Sequence, residues 1–138
     1  LDWLLLDYER HSQLRDYVRD LNRFYLTHSA LWDNDDSWDG FRWISCDDAD
    51  HSIVSYYRTD REGKKLLVLC NFCPVKREGY RIGVPEKRVW TPALSSDDAG
   101  YGGSGTALSP VAAEAVPMHG FPWSAEFTLP PLSTVFFT

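Results

Sequence analysis

Between Ser12 and Leu26 the apolar residues recur at steps of three and four. Leu14, Tyr17, Val18, Leu21 and Tyr25 share one face, while Arg15, Asp16, Arg19, Asp20 and Arg23 point away. This period predicts a single amphipathic helix, with Ser12 as its amino cap and Asp16 paired with Arg19. A helix of this length is not stable alone, so its wide apolar stripe must lie against a sheet or another neighbour. Beyond it the pattern shortens. Phe41 to Cys46 and Ile53 to Thr59 are aromatic and β-branched runs joined through Asp47 to Ser52, which predicts an antiparallel hairpin. Leu66 to Phe72 is an apolar and β-prone run, with Asn71 as its one polar residue, between Gly63 and Pro74, the pattern of a central strand buried on both faces. Tyr80, Ile82 and Val84 alternate with Arg81 and Gly83, so the next strand buries only one face.

The stretch Lys64 to Pro85 therefore reads as two strands joined by a charged turn, and as the nucleus that the other strands pair with or cover. Further strands are predicted at Arg88 to Ala93, Ala112 to Met118, Trp123 to Leu129 and Thr134 to Phe137. The expected fold is mainly β: an antiparallel β-sandwich of about seven or eight short strands preceded by one α-helix. Seven prolines, from Pro85 to Pro131, fall at strand ends or edges, as that reading requires.

Composition narrows the function. Twenty acidic against 14 basic residues give a net charge of −6, which repels a phosphate backbone, so nucleic acid is not an expected partner. Six Trp, seven Tyr and seven Phe form a heavy aromatic load. Most such rings belong in a β core, but those in or beside turns can stack on sugars, and Trp38, Trp43, Trp90 and Tyr101 are the candidates. Three cysteines make no disulfide framework and suit a reducing, cytoplasmic setting. Cys70 and Cys73 have CxxC spacing without a second pair and close a strand instead of opening a helix, so they are expected to be buried structural thiols. The amino-terminal run Leu1 to Leu6 is neither a secretory signal nor a membrane span, and is expected to come from a larger protein in which it had something to pack against.

Motifs that would carry chemistry lack their context. In Asp33 to Gly40 the sixth position is Trp38 instead of Gly and the twelfth is Ile44 instead of Glu, so the calcium-loop template fails and a solvated acidic loop is expected. The glycine-rich run Gly100 to Gly105 has no following Lys or helical pattern, and is expected to be a surface loop displaying Tyr101. His11, His28, His51 and His119 form no spaced pair. No catalytic residue, metal site or cofactor is assigned.

Several strings together resemble one family. Leu1 to Tyr8, the VRDLNRFY helix, DDADHSIVSYYR, LLVLCNF followed by Pro74, GYRIGVP, YGGSG and the LPPLST tail, in that order, are similar to the carboxy-terminal end of bacterial 1,4-alpha-glucan branching enzymes of the alpha-amylase superfamily. The resemblance implies a parent with a catalytic (β/α)8 barrel and an all-β carboxy-terminal domain. Residues 1–31 would then be the end of the barrel with its last helix, 32–40 an acidic linker, and 41–138 the β-sandwich. Trp3, Leu14, Tyr17, Val18 and Leu21 would pack on the barrel, which would be the main partner. Alpha-glucan or glycogen is the alternative partner through the surface rings. The family's catalytic carboxylates stand on earlier barrel loops, and none corresponds to a residue here, so this chain is expected to be no enzyme by itself.

Overall fold

A computed structural model describes residues 2–138. Trp3–Asp7 forms a 3-10 turn, followed by α1 (Glu9–Thr27) and further 3-10 turns at Ser29–Leu31 and Trp38–Gly40. The strands are β1 (Phe41–Asp48), β2 (Ile53–Thr59), β3 (Lys65–Asn71), β4 (Arg77–Val84), β5 (Val89–Trp90), β6 (Pro92–Ser95), β7 (Val111–Ala112), β8 (Trp123–Leu129) and β9 (Ser133–Phe137). Five of them make an antiparallel sheet in the order β1-β2-β3-β9-β6, β4 pairs with β8, and β5 pairs with β7.

The two faces of β3 do different work because side chains alternate along a strand. Leu67 and Leu69 point into the sandwich and join Ile53, Tyr57, Val135 and Phe137 of the large sheet with Ile82, Val84, Ala125, Phe127 and Leu129 of β4 and β8. Leu66 and Val68 point the other way, into a second cluster with Phe136, Ala30 and Phe24 of α1. The predicted two-sided burial holds for Leu66 to Leu69, but the strand ends at Asn71 and Phe72, the last residue of the predicted run, is exposed; the β1–β2 hairpin and the mainly β class hold. Each fully buried aliphatic or aromatic side chain contributes about 1.5–3 kcal/mol, so this strand anchors both layers.

Several elements differ from the sequence reading. β3 and β4 are not neighbours: Pro74 to Lys76 carries the chain across to the opposite sheet, where β4 meets β8. The helix begins at Glu9, and Ser12 does not cap it; its hydroxyl donates to the Glu9 carbonyl at 2.8 Å, while Tyr8 holds the cap position without a side-chain bond. Arg88 to Ala93 divides into β5 and β6, since Pro92 cannot donate to a ladder. Ala112 to Met118 keeps only Val111–Ala112 as strand, with isolated bridges at Glu114 and Met118, because Pro117 and the turn at His119 break the run. Leu1 lies outside the described residues.

The glycine-rich loop wraps around a buried carboxylate. Asp97 accepts from the Ser104 N–H at 2.9 Å, the Ser104 hydroxyl at 2.7 Å and the Thr106 N–H at 3.0 Å. Loop and helix are then joined: Tyr101 donates to Asp20 at 2.9 Å, Arg10 donates to the Gly102 carbonyl at 3.1 Å, and the Tyr17 and Tyr101 rings meet edge-on at 5.1 Å. Gly102 has φ +82°, a left-handed conformation that glycine adopts without strain, at the point where the loop meets Arg10 and Gln13 of the helix. Asp60 plays the same part in the β2–β3 turn, accepting from Ser29 Oγ and from the N–H groups of Glu62 and Lys64. Burial alone would push both carboxyls up, but the hydrogen bonds outweigh it and hold Asp60 and Asp97 below the usual carboxylate range.

Two predictions follow from this arrangement. Trp90 is fully buried, so Trp90→Ala is expected to cost about 3–5 kcal/mol in denaturant titration. For Asp97, a lowered folded-state pKa means that its stabilisation is complete above the unfolded value of about 3.9 and is lost as pH falls through the folded value. Acidification is thus expected to lower the amide protection factors in 97–106, measured against the intrinsic exchange rate at each pH, and Asp97→Asn to flatten that acid dependence while costing about 1–3 kcal/mol at neutral pH.

Candidate interaction face

The apolar arc of α1 is wider than the sheet surface beneath it. One edge packs: Phe24 is buried, its ring 5.0 Å from Phe136, and Leu21 joins the same cluster. His28 stacks on Phe24 at 3.8 Å and its Nδ1 lies 2.8 Å from the Phe24 carbonyl, closing the helix end. The other edge has no partner among the described residues. Leu14 (60% exposed), Val18 and Tyr25 stand open beside the packed edge, together with Trp3 (71% exposed), Leu4, Leu5 and Tyr8 of the preceding turn. The remaining surface of the helix is charged, with Asp16–Arg19 at 2.9 Å and Asp20–Arg19 at 3.0 Å.

The helix runs antiparallel to β3. Its carboxy-terminal Thr27 and His28 share a cleft with Lys64 to Leu66, where β3 begins, whereas Leu21, further up the helix, joins the cluster that holds Val68 and the Cys70 thiol. Burial first, then that thiol, raises the Tyr17 phenol above its ordinary value; Tyr56 of β2 is raised by the same two causes. The open edge of α1 thus shares one side of the large sheet with the aromatic group Phe41, Trp43 and Tyr56, whose rings lie 5.0–5.7 Å apart.

The residues singled out from the sequence fall into distinct environments. Trp3, Leu14 and Val18 are open, while Tyr17 and Leu21 are half-buried against the sandwich. Among the sugar-stacking candidates, Trp38 is 92% exposed, and Trp43 is half-covered by edge-on Phe41 and Tyr56. Trp90 must be removed from that set: it is completely buried, with the Arg88 guanidinium 3.9 Å above its ring. Tyr101 has its hydroxyl tied to Asp20, whose carboxylate, after burial, pushes the phenol up to about 12. The thiols of Cys70 and Cys73 are free and only half-buried, not buried as expected, and Cys46 is exposed. Burial raises the Cys70 thiol, which accepts from Thr134 Oγ1 at 3.4 Å.

Two features leave no signal in the sequence. Asp48 links the β1–β2 turn to β4 by accepting from the Tyr80 hydroxyl and contacting His51 Nδ1 at 2.8 Å; nothing in the spacing brings these residues together. The other is a group of three exposed apolar residues at the end of the sandwich, Phe72, Val75 and Leu132. Among the described residues there is no group of three or more His, Cys, Asp or Glu placed to hold a metal, and no helix long and apolar enough to cross a membrane.

Comparison with known proteins adds to this geometry. The family described as alpha amylase, C-terminal all-beta domain, matches residues 43–138. The 1,4-alpha-glucan branching enzyme GlgB of Halothermothrix orenii is 43% identical over 139 residues, which is 99% of this chain and 22% of that protein. Those of Aromatoleum aromaticum and Thiobacillus denitrificans are 45% and 48% identical, again over 99% of this chain, and over 22% and 19% of their own lengths. The chain spans about a fifth of the curated relatives it matches. With a two-layer antiparallel sandwich over the matched residues, the chain belongs to the alpha-amylase C-terminal all-beta domain family.

Proposed function

We propose that the chain is the carboxy-terminal part of a bacterial 1,4-alpha-glucan branching enzyme, and that its task is to support a catalytic barrel supplied by the rest of that protein. The open edge of α1 carries this reading. Leu14, Val18 and Tyr25 lie exposed in a row beside a packed edge, and the matched relatives are about five times as long as the chain. Residues 1–31 are the end of the barrel, 32–40 link it to the sandwich, and the family match beginning at Trp43 leaves α1 outside the all-β unit. Covering an exposed Leu or Val fully is worth about 1.5–3 kcal/mol, so three or four such residues make a docking surface of useful strength. The two buried carboxylates, Asp60 and Asp97, are occupied as acceptors for turn N–H groups, which is structural work. In the reaction of such enzymes, transfer of a glucan chain to form an alpha-1,6 branch, the carboxylates that act on the sugar would belong to the barrel. Three free thiols fit a cytoplasmic setting.

A chimera tests this. When this chain replaces the matching 139 residues of the Halothermothrix orenii enzyme, the product is expected to be folded and to form branches. Leu14→Asp with Val18→Asp is expected to lower its activity about tenfold or more by burying two charges, while moving the stability of the isolated chain by only about 0.5 kcal/mol. An inactive chimera, or one indifferent to the double substitution, overturns the reading.

Glucan binding has one observation in its favour. Trp38 is almost wholly exposed beside Asp35, Asp36 and Arg58, a flat ring with hydrogen-bonding groups at its rim. Isothermal calorimetry with millimolar maltoheptaose is then expected to give saturable heat that Trp38→Ala removes; absence of heat from the intact chain rejects it.

A further inference from the structure

Asn71, the last residue of β3, is almost completely buried and uses every hydrogen-bonding group of its amide to hold two turns. Its Nδ2 donates to the Val75 carbonyl at 2.9 Å and to the Pro130 carbonyl at 2.8 Å, and its Oδ1 accepts from the Cys73 N–H at 3.0 Å. Ser133 Oγ also donates to Pro130 at 2.8 Å, and the Leu132 N–H bonds to the Cys73 carbonyl at 3.0 Å. A buried polar network this well satisfied fixes one geometry. What it fixes is an apolar tip: Phe72 is 64% exposed, Leu132 67% and Val75 48%. Leu132 moreover sits at φ +46°, in the left-handed region that a γ-branched residue enters only when its surroundings compel it. Glycine would suit the turn better, so the turn alone does not account for leucine.

The tip lies at the end of the molecule where the open edge of α1 begins. By alternation, Phe72 follows Leu66, Val68 and Cys70 on the helix-facing side of β3. Since α1 runs antiparallel to β3, with Thr27 and His28 beside Lys64 to Leu66 at the start of the strand, Leu14 and Tyr8 lie toward its opposite end. We propose that Phe72, Val75 and Leu132 form a second, rigid docking contact for the remainder of the branching-enzyme polypeptide, continuous with the helix edge. This rests on the reading of the helix edge as a barrel contact and extends it onto the sandwich itself. Helix and tip then fix the barrel against the sandwich at two places, so the two bodies do not pivot about α1.

The test separates this contact from a purely local role for leucine. Leu132→Gly relieves the backbone at φ +46°. The isolated chain is expected to keep its melting temperature, while the chimera with the Halothermothrix orenii enzyme loses branching activity on heating about tenfold faster. Phe72→Ser, at an exposed position, is expected to do the same. Equal destabilisation of chain and chimera assigns both residues to the turn and overturns the proposal. An active chimera that is indifferent to both variants overturns it too, leaving the helix contact standing. A chimera without activity before any substitution rejects the helix reading, and this extension with it. If either variant instead abolishes self-association of the isolated chain in sedimentation and leaves the chimera unchanged, the occupant is a second copy and the proposal is wrong.

Discussion

Burial of β3 on both faces is the constraint on which the rest depends. Leu67 and Leu69 close the sandwich against β4 and β8, and Leu66 and Val68 receive α1, so one seven-residue strand joins three layers. A strand so placed can carry no polar side chain on either face unless its bonds are made. Asn71 meets that condition by spending its amide on the two turns that close the end of the sheet. The apolar tip and the seat of the helix are thus consequences of the same strand, one at its end and one along its face.

The helix is held by polar groups as much as by packing. Asp97 gathers the glycine-rich loop, the loop presents Tyr101 and the Gly102 carbonyl, and these engage Asp20 and Arg10 on the flank of α1 that faces them. Such a clasp is needed because the apolar contact is one-sided: Phe24 and Leu21 anchor the carboxy-terminal half, and the amino-terminal half would otherwise rely on exposed Leu14 and Val18. Holding the helix in place while one edge stays open gives it a fixed surface to offer a neighbour, and little ordering entropy remains to be lost on docking.

Much of this could be read from the residues. Two-sided burial of Leu66 to Leu69, the β1–β2 hairpin and the existence of α1 all follow from hydrophobic period, which reports local geometry directly. Long-range placement was not legible. No local signal says that β4 pairs with β8 across the sandwich instead of with β3, or that Asp97 closes on Ser104 and Thr106. Trp90 looked like a ring beside a turn, and only the packing of β5 against the core removes it from the surface. Phe72 resembled a core residue because it extends the apolar run of β3, since sequence pattern does not distinguish an apolar side chain that faces the core from one that stays exposed.

In the whole protein the open edge of α1 and the tip are expected to be covered. Hydroxyl-radical footprinting read by mass spectrometry measures this directly, because leucine, phenylalanine and tyrosine label in proportion to exposure. Compared between the isolated chain and the full-length chimera, Leu14, Tyr25, Phe72 and Leu132 are predicted to lose most of their labelling in the chimera, while Trp38 keeps its own. Unchanged labelling of Leu14 and Tyr25 would contradict the claim.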